Sequence, residues 1–164
     1  IAKFAAGGKP VGKKDLGLMA MTYGHVYVAK IAMGANMAQV VKAFTEAAAY
    51  DGPSLIIAYS TCINHGIDMT TGMDEQKKAV TSGHWPLFRY DPRLAAEGKN
   101  PLQMDSKEPT TSLEDYGNGE KRYVLLKKTD PARADMLLKG AEKDVKRLQD
   151  IYKSLAAIQY TEEK

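Results

Sequence analysis

The strand–helix–strand pattern of residues 25–60 constrains the fold of this 164-residue chain more than any other feature. Residues 25–33 are rich in β-branched side chains and predict a strand, and residues 54–60 form an apolar run typical of a strand buried on both faces. Between them, apolar side chains at helical spacing predict an amphipathic helix, and these are Met37, Val40, Val41, Phe44 and Ala48. Because this order forms a βαβ unit, we expect an α/β fold: a parallel sheet with flanking helices and a right-handed crossover.

Local residues mark where the helices of the first half begin and end. Asp15 is placed to cap a short helix over residues 14–23, and Gly24 is placed to end it. Asn36 is the candidate cap of the amphipathic helix. The turn that begins at Gly34 is similar to phosphate-binding turns, but it lacks the G-x-G-x-x-G pattern and the P-loop lysine. We therefore interpret it as a capped turn.

The second half begins with a predicted helix over residues 70–82, and Trp85 after it is a candidate packing residue. Residues 86–91 and 102–107 predict two strands that pair as a small hairpin. Together these elements indicate that the chain changes from alternating strands and helices to a hairpin near residue 85.

The C-terminal part predicts helices. Residues 112–128 are weakly helical because Gly117 and Gly119 interrupt the pattern. Asp130 and Pro131 are the cap and first residue of a long amphipathic helix. Its apolar stripe consists of Leu137, Ala141, Val145, Leu148, Tyr152 and Leu155. The charges of this helix over residues 142–150 are interpreted as a solvated face.

Charge and composition narrow the possible partners. The chain carries 23 basic and 20 acidic residues and a net charge of +3, and no basic patch interleaves with aromatics, so we expect no nucleic-acid partner. The longest apolar runs are far shorter than the roughly 20 residues of a bilayer span, and no signal peptide is visible, so we expect no membrane partner. Cys62 is the single cysteine, which excludes an internal disulfide and indicates a reducing, cytoplasmic compartment.

The first residues do not resemble the start of a domain. The chain begins at Ile1 in a Gly/Lys-rich stretch that predicts neither a strand nor a capped helix. We therefore expect a piece of a longer protein cut within a loop, and a processed or trimmed N-terminus is the alternative.

Cys62 is the residue whose position most suggests chemistry. It lies in a loop over residues 61–67 that follows the second strand, and ligands of open α/β sheets bind at this carboxyl end of the strands. A thiolate there can act as a nucleophile, a metal ligand or a redox group, whereas the alternative is an inert buried side chain. His65 is placed to lower the pKa of the thiol, or is simply a hydrogen-bonded loop histidine, and Gly66 is expected in a left-handed turn.

The other reactive side chains favour structural roles. His25 and His84 have no carboxylate or cysteine at ligand spacing, so we interpret them as structural or solvent-facing. Four methionines are interpreted as core filler, and these are Met19, Met21, Met33 and Met37. No Ser/His/Asp order, H-E-x-x-H or C-x-x-C motif is present in the sequence, so no catalytic residue is assigned.

Several long blocks of the chain resemble pyruvate:ferredoxin (flavodoxin) oxidoreductase. The blocks are residues 12–24, 26–29, 33–36 and 46–60, and the Cys62-Ile63-Asn64-His65-Gly66-Ile67 motif follows them. The similarity continues more weakly through residues 85–92 and the C-terminal helices, so it covers essentially the whole chain. It implies that residues 1–85 are the C-terminal part of a thiamine-diphosphate-binding α/β domain and that residues 86–164 are a hairpin plus helical extension of that domain.

The resemblance also implies an activity. Enzymes of this family decarboxylate pyruvate oxidatively on thiamine diphosphate with Mg²⁺ and form acetyl-CoA. They pass electrons through 4Fe–4S clusters to ferredoxin or flavodoxin. The implied partners are the remaining domains of the enzyme, ferredoxin or flavodoxin, coenzyme A and pyruvate as substrates, and a second subunit of a homodimer.

The resemblance implies one site residue in this chain. Cys62 matches the lone cysteine that supplies the fourth ligand of the cluster nearest thiamine, the other three ligands coming from an earlier segment. The Gly-Asp-Gly and Asn-Thr-Gly-Gly segments that hold the magnesium diphosphate match no residue here, so no catalytic or thiamine-contact residue is assigned. The alternative is a stand-alone α/β interaction module whose long helix docks on a partner.

Overall fold

Four short strands form one mixed sheet in the computed structural model, which describes residues 7–161 of the chain. In chain order they are β1 Tyr27–Ile31, β2 Ser54–Ala58, β3 Phe88–Tyr90 and β4 Leu102–Met104, and in space the order is β2-β1-β3-β4. β1 and β2 run parallel, in register from the Tyr27–Ser54 pair to the Ile31–Ala58 pair. The predicted α/β fold and its parallel strand pair are therefore confirmed.

The helices flank the sheet and extend beyond it. They are α1 Leu16–Met21, α2 Met37–Ala48, α3 Gly72–Thr81, α4 Arg93–Ala96, α5 Leu113–Gly117, α6 Lys121–Thr129 and α7 Pro131–Ala156, with short 3₁₀ turns at Ile63–His65 and Met69–Thr71. Within residues 7–161, no helix has both the length and the apolar character that a bilayer crossing requires. The expectation about the chain start at Ile1 falls on residues outside the described range.

The predicted caps hold the first two helices. The Asp15 carboxylate accepts from the amides of Gly17 at 2.9 Å and Leu18 at 3.2 Å. The Asn36 side chain accepts from the Gln39 amide at 3.0 Å. Because each side chain satisfies donors that an isolated helix start leaves free, the local sequence fixes where α1 and α2 begin.

The long C-terminal helix also begins where its sequence predicts. Asp130 accepts from the Arg133 amide at 3.0 Å, and Pro131 occupies the first turn of α7. In the weakly helical segment before it, α5 and α6 are separated near Gly117 and Gly119, as the two glycines indicate. Tyr152 of α7 is fully buried and its ring centroid lies 5.0 Å from that of Phe88 on β3.

The predicted hairpin is real, but it extends the sheet. β3 pairs antiparallel with β4 and also antiparallel with β1, where Val28 faces Tyr90. The sheet is therefore mixed rather than wholly parallel. The pairing of β3 with β1 joins residues that are distant in the chain, and no local sequence pattern predicts it. The connector between the hairpin strands contains α4, which the sequence did not predict.

The expectation of a strand buried on both faces applies to β1 and not to β2. Every residue of β1 is buried, whereas β2 lies at one end of the described sheet, with Ser54 and Ala58 exposed. An apolar run predicts a strand with hydrophobic faces. It does not predict whether a further strand pairs with the second edge of that strand. The correction therefore concerns placement within the sheet, not the existence of the strand.

The two faces of β1 support two cores. On one face Tyr27, Ala29 and Ile31 pack with Val40 and Ala43 of α2. The other face holds a second cluster that consists of Ala20, Val28, Phe88, Leu102 and Tyr152. The alternation follows the two-residue period of a strand, so α2 covers one face and α7 the other.

A buried arginine links the hairpin to the α/β unit. Arg89 of β3 donates to both carboxylate oxygens of Glu46 on α2, at 2.6 and 2.8 Å, and to those of Asp105 after β4, both at 2.9 Å. Tyr27 donates to Glu46 at 2.9 Å, and Gln39 donates to Asp105 at 3.0 Å. Burial disfavours the Arg89 charge, but the bonds to Asp105 and Glu46 outweigh it and raise the pKa of the guanidinium.

The outer face of α2 is apolar and exposed. Met37, Val41 and Phe44 keep half or more of their surface accessible, so the sequence stripe that includes them is not wholly a core face. The interpretation of four methionines as core filler is wrong for Met19, Met33 and Met37, which are also half exposed. Helical periodicity identifies an apolar stripe but not its partner, and only the Val40 side of this stripe meets β1.

Removing Arg89 should destabilise the chain strongly. In Arg89→Ala two carboxylates remain near the core without their counter-ion, so we expect a loss of about 3–5 kcal/mol in the free energy of unfolding. Urea unfolding followed by circular dichroism measures this loss. Arg147→Ala, which breaks an exposed pair with Asp144, is the matched control and should cost under about 1 kcal/mol. Equal losses for the two variants would refute the assigned role.

The exposed face of α2 should make the isolated chain self-associate, because contiguous apolar surface is rarely left in water. We expect Phe44→Glu to weaken this association at least about tenfold, since one buried Phe contributes roughly 1.5–3 kcal/mol. Sedimentation velocity over a concentration series provides the measurement. Thr45→Glu adds the same charge on the next, exposed residue without removing apolar area and is the control. A wild-type chain that stays monomeric would contradict this account.

Candidate functional site

The Cys62 thiol lies where the sequence places it, in the loop after β2. The backbone carbonyl of Cys62 accepts a hydrogen bond from the His65 amide at 3.0 Å, and Cys62 directly precedes the Ile63–His65 turn. Gly66 closes the turn in the left-handed region with φ of 75°, as predicted. Cys62 is half-buried and its thiol is free, while Ile63 beside it is largely exposed. The loop therefore presents a thiol at the carboxyl end of a parallel strand.

The downstream end of this loop is tied to a buried carboxylate. Glu120 lies just before α6, and its Oε2 atom is 3.5 Å from His65 Nδ1 and 2.7 Å from Arg122 Nε. These are charge contacts, because neither Oε2 nor Arg122 Nε has a hydrogen-bond partner among the described residues. Arg122 Nη1 lies 3.2 Å from His65 Nε2, which confirms His65 as a hydrogen-bonded loop histidine. Burial and the Arg122 guanidinium lower the pKa of His65, so the imidazole is neutral at pH 7 and its Nε2 accepts from Arg122.

The upstream end of the loop is tied to the same carboxylate. The hydroxyls of Tyr59 and Tyr116 lie 2.7 Å apart, and Tyr116 donates to Glu120 Oε1 at 3.1 Å. Since Tyr116 gives its proton to Glu120, Tyr59 donates to Tyr116. Burial raises the pKa of Tyr59 to about 12 and also raises the pKa of Tyr116, so both hydroxyls stay protonated at neutral pH. Residues on both sides of Cys62 thus meet at Glu120.

The sequence gives little sign of this arrangement. Tyr116, Glu120 and Arg122 lie in the weakly helical segment, far along the chain from the loop. The one available signal is Gly119, because a Cβ there would collide with the Glu75 carboxylate of α3. A glycine interpreted as a helix interruption thus also lets the Glu75 carboxylate pack against the segment next to Glu120.

Glu75 is a second buried acid in this region. It is 2% exposed, its Oε1 has no partner among the described residues, and Lys78 Nζ lies 3.5 Å from Oε2. Burial raises the pKa of Glu75, which the Lys78 charge only partly offsets. An open cavity of about 790 Å³ adjoins it, and its lining mixes carboxylates, lysines and threonines, which selects no ligand chemistry.

The remaining candidates have structural partners. The Gly34 amide donates to Gln76 at 3.0 Å, which supports the interpretation as a capped turn rather than a phosphate site. The Trp85 indole donates to the Ile31 carbonyl at 3.0 Å, and Lys30 Nζ lies 4.2 Å from the ring centroid, so Trp85 is the packing residue that the sequence predicts. His25 is exposed and its Nδ1 lies 2.9 Å from the Tyr23 carbonyl.

The donor set limits what metal this part of the chain could hold. Within residues 7–161, no group of three or more His, Cys, Asp or Glu residues is arranged to hold a metal ion. A single free cysteine, half-buried on a loop, suits one bond to a cluster whose other ligands come from elsewhere. Fold and site together define an α/β unit that presents one thiol at the edge of its sheet.

Comparison with known proteins shows which proteins contain a segment similar to this chain. No family model matches the chain. It is 59% identical over 156 residues, 95% of its length, to a pyruvate:ferredoxin oxidoreductase of Moorella thermoacetica, and 55% identical over 157 residues, 96% of its length, to a pyruvate-flavodoxin oxidoreductase of Nostoc sp.. A mitochondrial pyruvate dehydrogenase (NADP⁺) of Euglena gracilis is 55% identical over 139 residues, 84% of the chain and 8% of that protein.

The resemblance found in the sequence is therefore confirmed. The chain is homologous, over nearly its whole length, to one segment of the pyruvate:ferredoxin and pyruvate-flavodoxin oxidoreductases. It spans about 13% of the length of the curated relatives just named from Moorella and Nostoc.

The histidine next to this site should make stability depend on pH. His84 stacks on Tyr116 with ring centroids 4.7 Å apart, and burial lowers the pKa of His84 from 6.5 to about 4. Between these values the unfolded chain binds a proton that the folded chain does not. Stability that is fully present above pH 6.5 is thus lost as the pH falls towards 4, by up to about 3 kcal/mol.

Urea unfolding at pH 7 and pH 5 tests this linkage. We expect His84→Phe, which keeps a stacked ring, to flatten the pH dependence, and the exposed His25→Phe to leave it unchanged. A profile that is equally steep in His84→Phe would show that other groups cause the loss.

Proposed function

We propose that the chain is part of an enzyme that decarboxylates pyruvate oxidatively to acetyl-CoA and passes the electrons through 4Fe–4S clusters to ferredoxin or flavodoxin. Within it, Cys62 is proposed to ligate one cluster. The observation that carries this proposal is the free, half-buried Cys62 on the loop after β2, in a chain 46–59% identical to pyruvate:ferredoxin and pyruvate-flavodoxin oxidoreductases.

A 4Fe–4S cluster supplies one-electron transfer when bound, and its irons are held by thiolates. From this chain, Cys62 would provide one thiolate, and the loop would fix its direction. Ile63 is 69% exposed beside it and is available as an apolar contact, whereas Ile67 is buried within the chain. The amides of His65 and Gly66 already donate within the turn.

The other requirements of the reaction are assigned outside this chain. We propose that the remaining domains bind thiamine diphosphate with Mg²⁺, pyruvate and coenzyme A, and that the enzyme is a cytoplasmic homodimer. No catalytic or thiamine-contact residue is proposed here. Residues 1–85 would belong to the thiamine-diphosphate-binding domain, and residues 86–164 would extend it.

Substitution of Cys62 in the full-length enzyme tests the proposal. In Cys62→Ser we expect the loss of one cluster, measured as iron per subunit and as a missing signal in low-temperature electron paramagnetic resonance of the reduced protein. Electron transfer to ferredoxin should slow while pyruvate binding remains. Ser60→Ala, which removes an exposed hydroxyl two residues away, is the control and should keep full iron.

Two results would overturn the proposal. Full iron content and an unchanged spectrum in Cys62→Ser would leave Cys62 as a packing residue. A colourless wild-type protein that only binds a partner would favour the stand-alone interaction module instead.

A further inference from the structure

We propose that Glu120 is a positioning residue for the Cys62 thiolate, holding the loop on both sides of the cysteine. The inference rests on the proposed function only for the role of Cys62. It rests on the structure for the connection between Glu120 and the loop.

The two connections approach Cys62 symmetrically along the chain. Tyr59 lies three residues before the cysteine and reaches Glu120 Oε1 through the Tyr116 hydroxyl, with contacts of 2.7 and 3.1 Å. His65 lies three residues after it and reaches Glu120 Oε2 directly at 3.5 Å and through Arg122. Oε1 thus holds the upstream side through a hydrogen bond, whereas Oε2 faces the downstream side through charge contacts without a hydrogen bond.

The surroundings of Glu120 make this connection stiff. Glu120 is 3% exposed, so water does not compete effectively for its oxygens. The start of α6 also packs closely against the loop. A Cβ added to Gly66 would lie only 2.6 Å from Lys121 Cβ. His65 in turn donates its amide to the carbonyl of Cys62 itself at 3.0 Å. On the downstream side the carboxylate therefore reaches the cysteine backbone through His65, whose ring contacts Oε2 at 3.5 Å without a hydrogen bond and whose amide is hydrogen-bonded to Cys62.

Stiffness of this kind matters to a metal ligand. Groups that orient a ligand without touching the metal typically change metal affinity by 10–100-fold when removed. A residue that only stabilises the fold would instead change the melting temperature and leave the cluster alone. The two roles therefore predict different measurements.

The experiment uses the full-length enzyme with its clusters in place and compares Glu120→Gln with wild type. Glutamine keeps the shape but removes the charge that pairs with Arg122. We expect iron of one cluster to be released to a chelator about 10–100-fold faster, well below the melting temperature. We also expect an altered electron paramagnetic resonance line shape for that cluster. Glu114→Gln, an exposed glutamate of α5 that pairs with Lys127, is the matched control.

Single-side variants keep the test decisive if Glu120→Gln fails to fold. Tyr59→Phe removes only the upstream connection, and Arg122→Gln weakens only the downstream one, so each should give a smaller acceleration of iron release. If the variants lower the melting temperature but leave iron release and line shape as in wild type, Glu120 is structural and the inference is wrong.

The outcome is separable from that of the proposed function. If Cys62→Ser keeps all its iron, the proposed role of Cys62 fails. If Cys62→Ser loses one cluster while Glu120→Gln and the single-side variants behave like Glu114→Gln, only the positioning role fails.

Discussion

The buried Arg89 guanidinium is the interaction on which the arrangement of the sheet depends. It sits on β3 and neutralises Glu46 of α2 and Asp105 after β4, so one cation joins three segments that are distant in the chain. Because the planar guanidinium makes bidentate bonds to both carboxylates, these bonds fix the orientation of the carboxylates as well as their distance from Arg89. This holds the hairpin against β1. With β3 on one side and β2 on the other, every residue of β1 becomes buried, and β1 in turn aligns β2.

The site inherits its geometry from that alignment, and a second buried charge completes it. β2 delivers the Cys62 loop to the edge of the sheet, but a strand alone does not fix the direction of a loop that leaves it. Glu120 does so from the other half of the chain. Both Arg89 and Glu120 join segments that no local sequence rule would place together. In both cases the charged side chain is buried beside an opposite charge. Removing that opposite charge would lower the stability of the fold by several kcal/mol.

This difference between local and distant interactions explains what the sequence could predict. Asp15 and Asn36 act within three residues of themselves, so the starts of α1 and α2 follow from the sequence alone. The position of Cys62 follows from the strand before it. The pairing of β3 with β1 and the role of Glu120 depend on which surfaces meet after folding. The exposed methionines illustrate the same limit, because an apolar stripe such as that of α2 does not specify its partner.

The exposure of the loop gives the two halves of the site distinct tasks. Residues 7–161 contain no group of three or more His, Cys, Asp or Glu arranged to hold a metal ion, and Cys62 is the single cysteine of the sequence. Under the proposed role, the other thiolates of the cluster therefore come from outside this chain. A thiol that awaits such partners has to stay accessible, and Cys62 and its neighbour Ile63 do. Of residues 61–67 only Ile67 is buried, so the loop gains little rigidity from burial of its own side chains. Its rigidity has to come from contacts with the rest of the chain. Tyr59, through Tyr116, and His65 both contact the buried carboxylate of Glu120.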